Sequence, residues 1–249
     1  MELEDKQRLK ELADRSYNQG KYTFTDFMSL AEQSVYYECE RELAYAHPAL
    51  FGGCDIAERK MIRFGSEEEA GYVQDFPIAA IRIRPIMNKF SDELNHRDFL
   101  GALMNLGIKR EMLGDIFVKG NEACVFCKDG LAGFISENLT RIKHTSVMAS
   151  VTDDVSDITR PVLEDKVIQV SSVRIDAVIS RVYNLSRQEA LNLFPGGLVF
   201  LNGRECTENS RLLKADDIVS VRGKGKFEFS RETGLSKKGK TNCVVSIYK

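Results

Sequence analysis

The stretch Ser172-Val173-Arg174-Ile175-Asp176-Ala177-Val178-Ile179-Ser180-Arg181-Val182, with Ser186-Arg187-Gln188-Glu189 shortly after it, decides how this chain reads. Ile175, Val178, Ile179 and Val182 stand at i, i+3, i+4 and i+7, the spacing that gathers apolar side chains on one face of a helix. Arg174 and Arg181 are seven residues apart and share a flank of that helix. Ser186 and Glu189 form a Ser-x-x-Glu capping box, which opens a second helix with Ala190, Leu191, Leu193 and Phe194 on its apolar side. Pro195-Gly196-Gly197 stops it. Leu198-Val199-Phe200-Leu201 reads as a strand entering Asn202-Gly203, a strong hairpin-turn pair. Ala215-Asp216-Asp217 is a further turn before the strand Ile218–Arg222, and Gly223-Lys224-Gly225-Lys226-Phe227 follows directly.

Charge points to a polyanion. Residues 172–249 hold 14 Lys+Arg against 8 Asp+Glu, although the whole chain of 249 residues carries a net charge of −2. A basic end on an acidic body suits nucleic acid. Arg187 is expected at a helix N-terminus, where free N–H groups and the positive dipole end favour a phosphate. Arg174 and Arg181 are expected to flank it, since a planar guanidinium can bridge phosphate oxygens or stack on a base. The structural alternative for Arg174 is an ion pair with Asp176.

Working outward, the chain is long enough for two or three small domains, and its 43% hydrophobic content is ordinary for a globular protein. The first part reads as helical. Leu9, Leu12, Ala13 and Tyr17 recur at helical spacing, and Thr25 is read as the N-cap of a second helix carrying Phe27, Leu30 and Ala31. Gly52-Gly53 reads as a turn, because the lysine and Ser/Thr of a phosphate loop are missing. The middle third is more regular. Ile81 and Ile83 alternate with Arg82 and Arg84 as in a strand, and a helix with Phe99, Leu103 and Leu106 on one face follows. A hairpin of about residues 115–118 and 123–127 comes next, then a helix around Phe134, Ile135 and Leu139, then a strand at about 145–151. The order β-α-β-β-α-β is ferredoxin-like. RNA recognition motifs share it, but their aromatic strand signature is absent here. The expected organisation is α+β. It comprises a mostly helical region 1–75, a ferredoxin-like domain 76–152, an acidic linker 153–171 interrupted by Pro161, and a C-terminal module 172–249.

Several chemistries are excluded. Cys124-Val125-Phe126-Cys127 has a CxxC spacing, but in an alternating strand the two thiols point to opposite faces, and no second ligand pair accompanies them. The six cysteines read as reduced thiols, and no cofactor is implied. His96-Arg97-Asp98 looks like the start of a kinase catalytic loop, but position 103 is leucine where asparagine is required, and Asp98 suits a helix start. No catalytic elbow, zinc-binding His-Glu-x-x-His or glycine-rich cofactor loop occurs. The acidic N-terminus does not read as a signal peptide, and no stretch approaches a membrane span, so a cytoplasmic protein is expected.

The C-terminal stretch closely resembles the S-four-type RNA-binding domain. The matching residues are Arg174-Ile175-Asp176, Ser186-Arg187, Ala190, Gly197, Val199, Asn202-Gly203 and Asp217-Ile218-Val219. Isoleucine replaces the common leucine after Arg174, and Pro195-Gly196 occupies the helix end; neither removes a basic side chain. Taken with the basic residues of the same module, the candidate RNA contacts are Arg174, Arg181, Ser186, Arg187, Asn202, Arg204, Lys224 and Lys226. The rest of the chain resembles the bacterial YlmH family. The similarity runs through Phe51-Gly52-Gly53, Ala57-Glu58-Arg59-Lys60, Asn95–Gly101, Leu106-Gly107-Ile108-Lys109-Arg110 and Leu113-Gly114-Asp115-Ile116.

The resemblance implies a ribosome-associated factor without enzymatic activity. It would bind large-subunit ribosomal RNA, with tRNA as a further candidate partner, in quality control of stalled translation. No membrane or small-molecule partner is implied. The alternative is an RNA-modifying enzyme, such as a pseudouridine synthase or a methyltransferase, that uses the basic module for delivery. The arginine-leucine-aspartate context of the first and the cofactor loop of the second are both missing. A cell-division scaffold has no sequence feature behind it.

Overall fold

The computed structural model describes residues 2–236 and 239–248. The chain is a mixed α+β protein that divides into two compact units, Met1–Arg160 and Pro161–Lys249.

In the first unit, α1 (Glu2–Gln19) buries Leu9 and Ala13 against Tyr36, Leu43, Ile62 and Phe64. Tyr17, expected on the same face, is instead exposed and meets the edge of the Tyr45 ring. A small sheet has the order β1-β3-β2, from β1 (Thr23–Phe24), β2 (Ala49–Phe51) and β3 (Met61–Phe64), with α2 (Leu30–Cys39) inserted after β1. The cap of α2 is Ser29 and not Thr25. Ser29 and Glu32 form a reciprocal capping box, whereas the Thr25 hydroxyl accepts the Ile62 N–H at 2.9 Å. Met28 still pairs with Lys60, so the chain stays extended up to the true cap.

A short helix α3 (Glu67–Ala70) leads to β4 (Ile78–Pro85), α4 (His96–Asn105), the hairpin β5 (Leu113–Lys119) and β6 (Glu122–Lys128), α5 (Ala132–Asn138), β7 (Arg141–Ile142) and β8 (Thr145–Val151). The sheet order is β5-β6-β4-β8-β7, the expected ferredoxin-like arrangement with an extra edge strand. Phe99, Leu103 and Ile135 are fully buried between the helices and Ile81, Ile83, Val125 and Val147 of one sheet face. Phe134, expected in that core, is exposed. Asn95 caps α4 in a capping box with Asp98, which accounts for the His96-Arg97-Asp98 triplet.

The opposite sheet face is partly covered by the chain itself. Cys124 and Phe126 pack there with Phe27, Met61 and Ile158, the last from α6 (Ser156–Thr159), while Cys127 lies in the helix-side core. The two thiols therefore point to opposite faces, as strand alternation requires. Gly53 sits at φ +100°, and a Cβ there would lie 2.2 Å from the Phe126 ring, so the turn needs glycine on both counts. Arg82 is held by both oxygens of Asp157, at 3.0 and 2.7 Å, and by Glu122, which also pairs with Arg84.

The second unit begins earlier than its sequence suggests. Residues 163–170, read as linker, form β9 (Leu163–Val170). Then come α7 (Ile175–Val182), α8 (Arg187–Asn192), β10 (Val199–Leu201), β11 (Arg204–Glu205), β12 (Asp217–Val221), β13 (Gly225–Leu235) and β14 (Thr241–Tyr248). The sheet order is β11-β10-β12-β13-β14-β9. Every residue of β9 pairs with β14, from Leu163↔Tyr248 to Val170↔Thr241. Ile168 and Val170 enter the core with Ile175, Val178, Ile179 and Val182, the stripe seen in the sequence.

Candidate nucleic-acid interface

Helix α7 is only eight residues long, yet it buries its whole apolar stripe together with Asp176, and Arg181 on its flank stays exposed. Lys166 of β9 donates to the Val182 carbonyl at 2.9 Å, capping the C-terminal end of the helix with a positive charge. The Ser180 hydroxyl and backbone carbonyl both bond to Leu185, across Asn184 at φ +53°, and this closes the loop tightly. That closure delivers Ser186 and Arg187 beside α7. The Ser186–Glu189 capping box is present, with bonds of 2.7 and 3.2 Å.

Arg174, Arg181 and Arg187 line one cavity of about 220 Å³, together with Gln169 and Lys240. An adjoining cavity of about 330 Å³ is lined by Lys166, Gln169, Arg181 and Lys240. The two share Gln169, Arg181 and Lys240, so they form one groove carrying five cations. The buried carboxylate on its wall, Asp176, binds Nε and Nη2 of Arg174 at 3.0 and 2.8 Å and takes the Ala177 N–H at 2.8 Å. The ion-pair alternative for Arg174 is thus realised. The pair fixes the guanidinium by its fork, and among the described residues Nη1 has no hydrogen-bond partner. The Asp176 carboxylate holds the Arg174 pKa above its usual value.

Other expected contacts fall elsewhere. Helix α8 has only six residues, and its N-terminus is already occupied by an anion, since the Glu189 carboxylate accepts the Ser186 N–H. Bonds to the Ser186 side chain and backbone hold the Glu189 pKa below the usual carboxylate range. Phosphate recognition there would fall to the Arg187 side chain. Asn202, at φ +52° in the β10–β11 turn, uses its whole side chain within the fold. It donates to Asp217 and accepts the Ile218 N–H, both at 2.8 Å. Arg204 lies on β11, at the opposite edge of the sheet from β9. Lys224 lies in the β12–β13 turn, and Lys226 stacks over the Tyr248 ring at 4.5 Å; neither lines the groove.

Sequence reasoning missed Lys166 and Lys240. The available signal was the alternation of Ile168 and Val170 with polar residues, which a linker would not need.

Residues 72–154 match the family described as "Putative RNA-binding domain in YlmH", a span running from before β4 to just beyond β8. The chain is 31% identical over 224 residues to the Bacillus subtilis (strain 168) protein named "Ribosome-associated protein quality control protein P2", covering 89% of this chain and 86% of that one. The chain belongs to the YlmH family. A solved structure named "Cell division protein ylmH from Streptococcus pneumoniae" aligns with a TM-score of 0.46 at 16% identity, over 61% of this chain and 91% of that one. Within the family's matched domain, the sheet face that holds bases in RNA recognition motifs is the one packed against Phe27, Met61 and Ile158. Among the described residues, no helix is long and apolar enough to cross a membrane.

Proposed function

We propose that this protein is a non-enzymatic RNA-binding factor of the large ribosomal subunit, acting in the cytoplasm in ribosome-associated quality control. Ribosomal RNA is its main target and tRNA on the same subunit its second. The convergence of Arg174, Arg181, Arg187, Lys166 and Lys240 on one groove carries the reading. Five cations facing a concave surface, with one carboxylate already engaged by Arg174, suit a run of phosphates. The name of the Bacillus subtilis relative and the description of the matched domain support ribosome association and RNA binding. The S-four-type module supplies the grip, with specificity left to RNA shape.

Co-sedimentation with purified large subunits tests it. The parent chain is expected to pellet with them at physiological salt, and an Arg174→Ala/Arg187→Ala double variant, shown by melting to be folded although Asp176 has lost its ion pair, is expected to remain in the supernatant. Equal pelleting of both would remove the groove from the argument. Mass spectrometry of ribosomal RNA from cells with and without the gene addresses the absence of catalysis. A modified nucleotide that vanishes with the gene would make the protein an enzyme.

A further inference from the structure

The first unit holds a second concentration of positive charge that the groove does not use. Arg59, on the turn after Gly53, donates from Nε to the Leu113 carbonyl at 3.0 Å and from Nη2 to the carbonyls of Phe27 and Arg110 at 2.8 and 3.3 Å. Arg110 donates from Nη1 to the same Leu113 carbonyl at 2.7 Å and to that of Gly114 at 3.0 Å. Two guanidinium groups therefore meet at one carbonyl oxygen. Among the described residues neither forms an ion pair. Asp115, whose carboxylate faces both groups, is engaged with the backbone N–H groups of Glu58 and Arg59. Its task is to hold the turn that carries Arg59.

Among the described residues, no carboxylate bonds to either guanidinium. Burial pushes both guanidinium pKa values down, that of Arg110 to about 10, with the charge of Arg59 as a further cause. Glu32 and Asp115 favour both charges and Glu111 that of Arg59, but none of the three bonds to either group. Nη1 of Arg59 and Nε and Nη2 of Arg110 have no protein partner, and none of these atoms is sealed from solvent. His96, at the start of α4, faces Arg110 and Asp115, and burial keeps its pKa below the usual imidazole value. Its ring is neutral at pH 7 and can donate a hydrogen bond without adding charge.

We propose that Arg59 and Arg110 form a second phosphate-binding site, in which a tetrahedral phosphate group takes the three outward-facing nitrogens. A phosphate group, with its several oxygens, can accept from two arginine forks at once. Backbone carbonyls hold both forks in advance, so little side-chain freedom is lost on binding. The residues come from stretches that carried the family resemblance: Ala57–Lys60, Asn95–Gly101, Leu106–Arg110 and Leu113–Ile116. The phosphate can belong to an RNA backbone or be free. The RNA source rests on the reading that this protein binds RNA; the free source does not.

The test uses the full chain and keeps the sources apart. RNA affinity is measured against salt for the parent, for Arg110→Gln, and for both in an Arg174→Ala/Arg187→Ala background. That background isolates the second site from the groove. Melting is followed with inorganic phosphate against chloride of matched ionic strength. An RNA source predicts that Arg110→Gln lowers the salt slope by about 0.7–0.9, in either background. A free-phosphate source predicts an unchanged slope and a phosphate-dependent rise in Tm that Arg110→Gln abolishes. Phenylglyoxal labelling of the parent, mapped by mass spectrometry, needs no variant and covers the case of a poorly folded substitution. RNA or phosphate is expected to protect Arg59 and Arg110. A folded Arg110→Gln with parental slope and parental phosphate response, or the absence of protection, would overturn the site.

Discussion

Lys240→Ala and Arg204→Ala should behave differently, although both remove one positive charge from the same module. Lys240 lines both parts of the groove, and Arg204 sits on the far edge strand. If the five groove cations each neutralise one phosphate, log affinity should fall against log salt with a slope of about −3.5 to −4.5. Between 50 and 200 mM salt that is a loss of roughly 100- to 500-fold. Lys240→Ala should reduce the slope by about 0.7–0.9, which narrows the same loss by about threefold. Its local turn survives, because the Lys240–Ser236 bonds use the backbone of Lys240, so melting should change by no more than about 0.5 kcal/mol. Arg204→Ala should leave the slope at its parental value. Fluorescence anisotropy with a labelled structured RNA hairpin, run from 50 to 300 mM salt, reads both variants. The reasoning is refuted if Lys240→Ala keeps the parental slope, or if Arg204→Ala lowers it as much.

Asn202→Ala should lose about 2 kcal/mol of stability, from two hydrogen bonds and an alanine at φ +52°, while the salt slope of any folded fraction is unchanged; urea unfolding and anisotropy together check this. Gly53→Ala should also cost about 2 kcal/mol, since its Cβ would strike the Phe126 ring at a positive φ, and thermal melting measures it. The pH response is set in part by Asp26. Burial raises its pKa, but the bonds from Lys128 and Arg8 outweigh that and leave it below the usual value. A lowered folded pKa means a contribution complete above the unfolded value of about 3.9 and lost as pH falls through the folded one. Asp26→Asn should therefore flatten the acid side of the Tm–pH curve below about pH 4 and leave its shape above that unaltered.

The elements legible in the sequence are those whose cause is local. The α7 stripe, the Ser186–Glu189 box, the Asn202-Gly203 turn and the β-α-β-β-α-β order each depend on residues within a few positions of one another. Strand β9 was hidden because Glu164 and Lys166 take the same side of the strand as the buried Ile168 and Val170, so no apolar alternation runs its length, and its pairing partner β14 lies over seventy residues further on. Only that pairing turns residues 163–170 from linker into strand, and only then does Lys166 reach the end of α7 and Lys240 join it. Thr25 and Ser29 are both good caps in isolation; the pairing of Met28 with Lys60 decided between them. Asn202 reads in the sequence as a turn residue and candidate RNA contact, and only the fold shows that β12 engages both ends of its amide. The sequence by itself therefore determined which residue types could meet a phosphate, since charge and fork geometry belong to the side chain. The tertiary structure alone decided which of them face one groove, because that depends on strand order and on which donors the fold has already used.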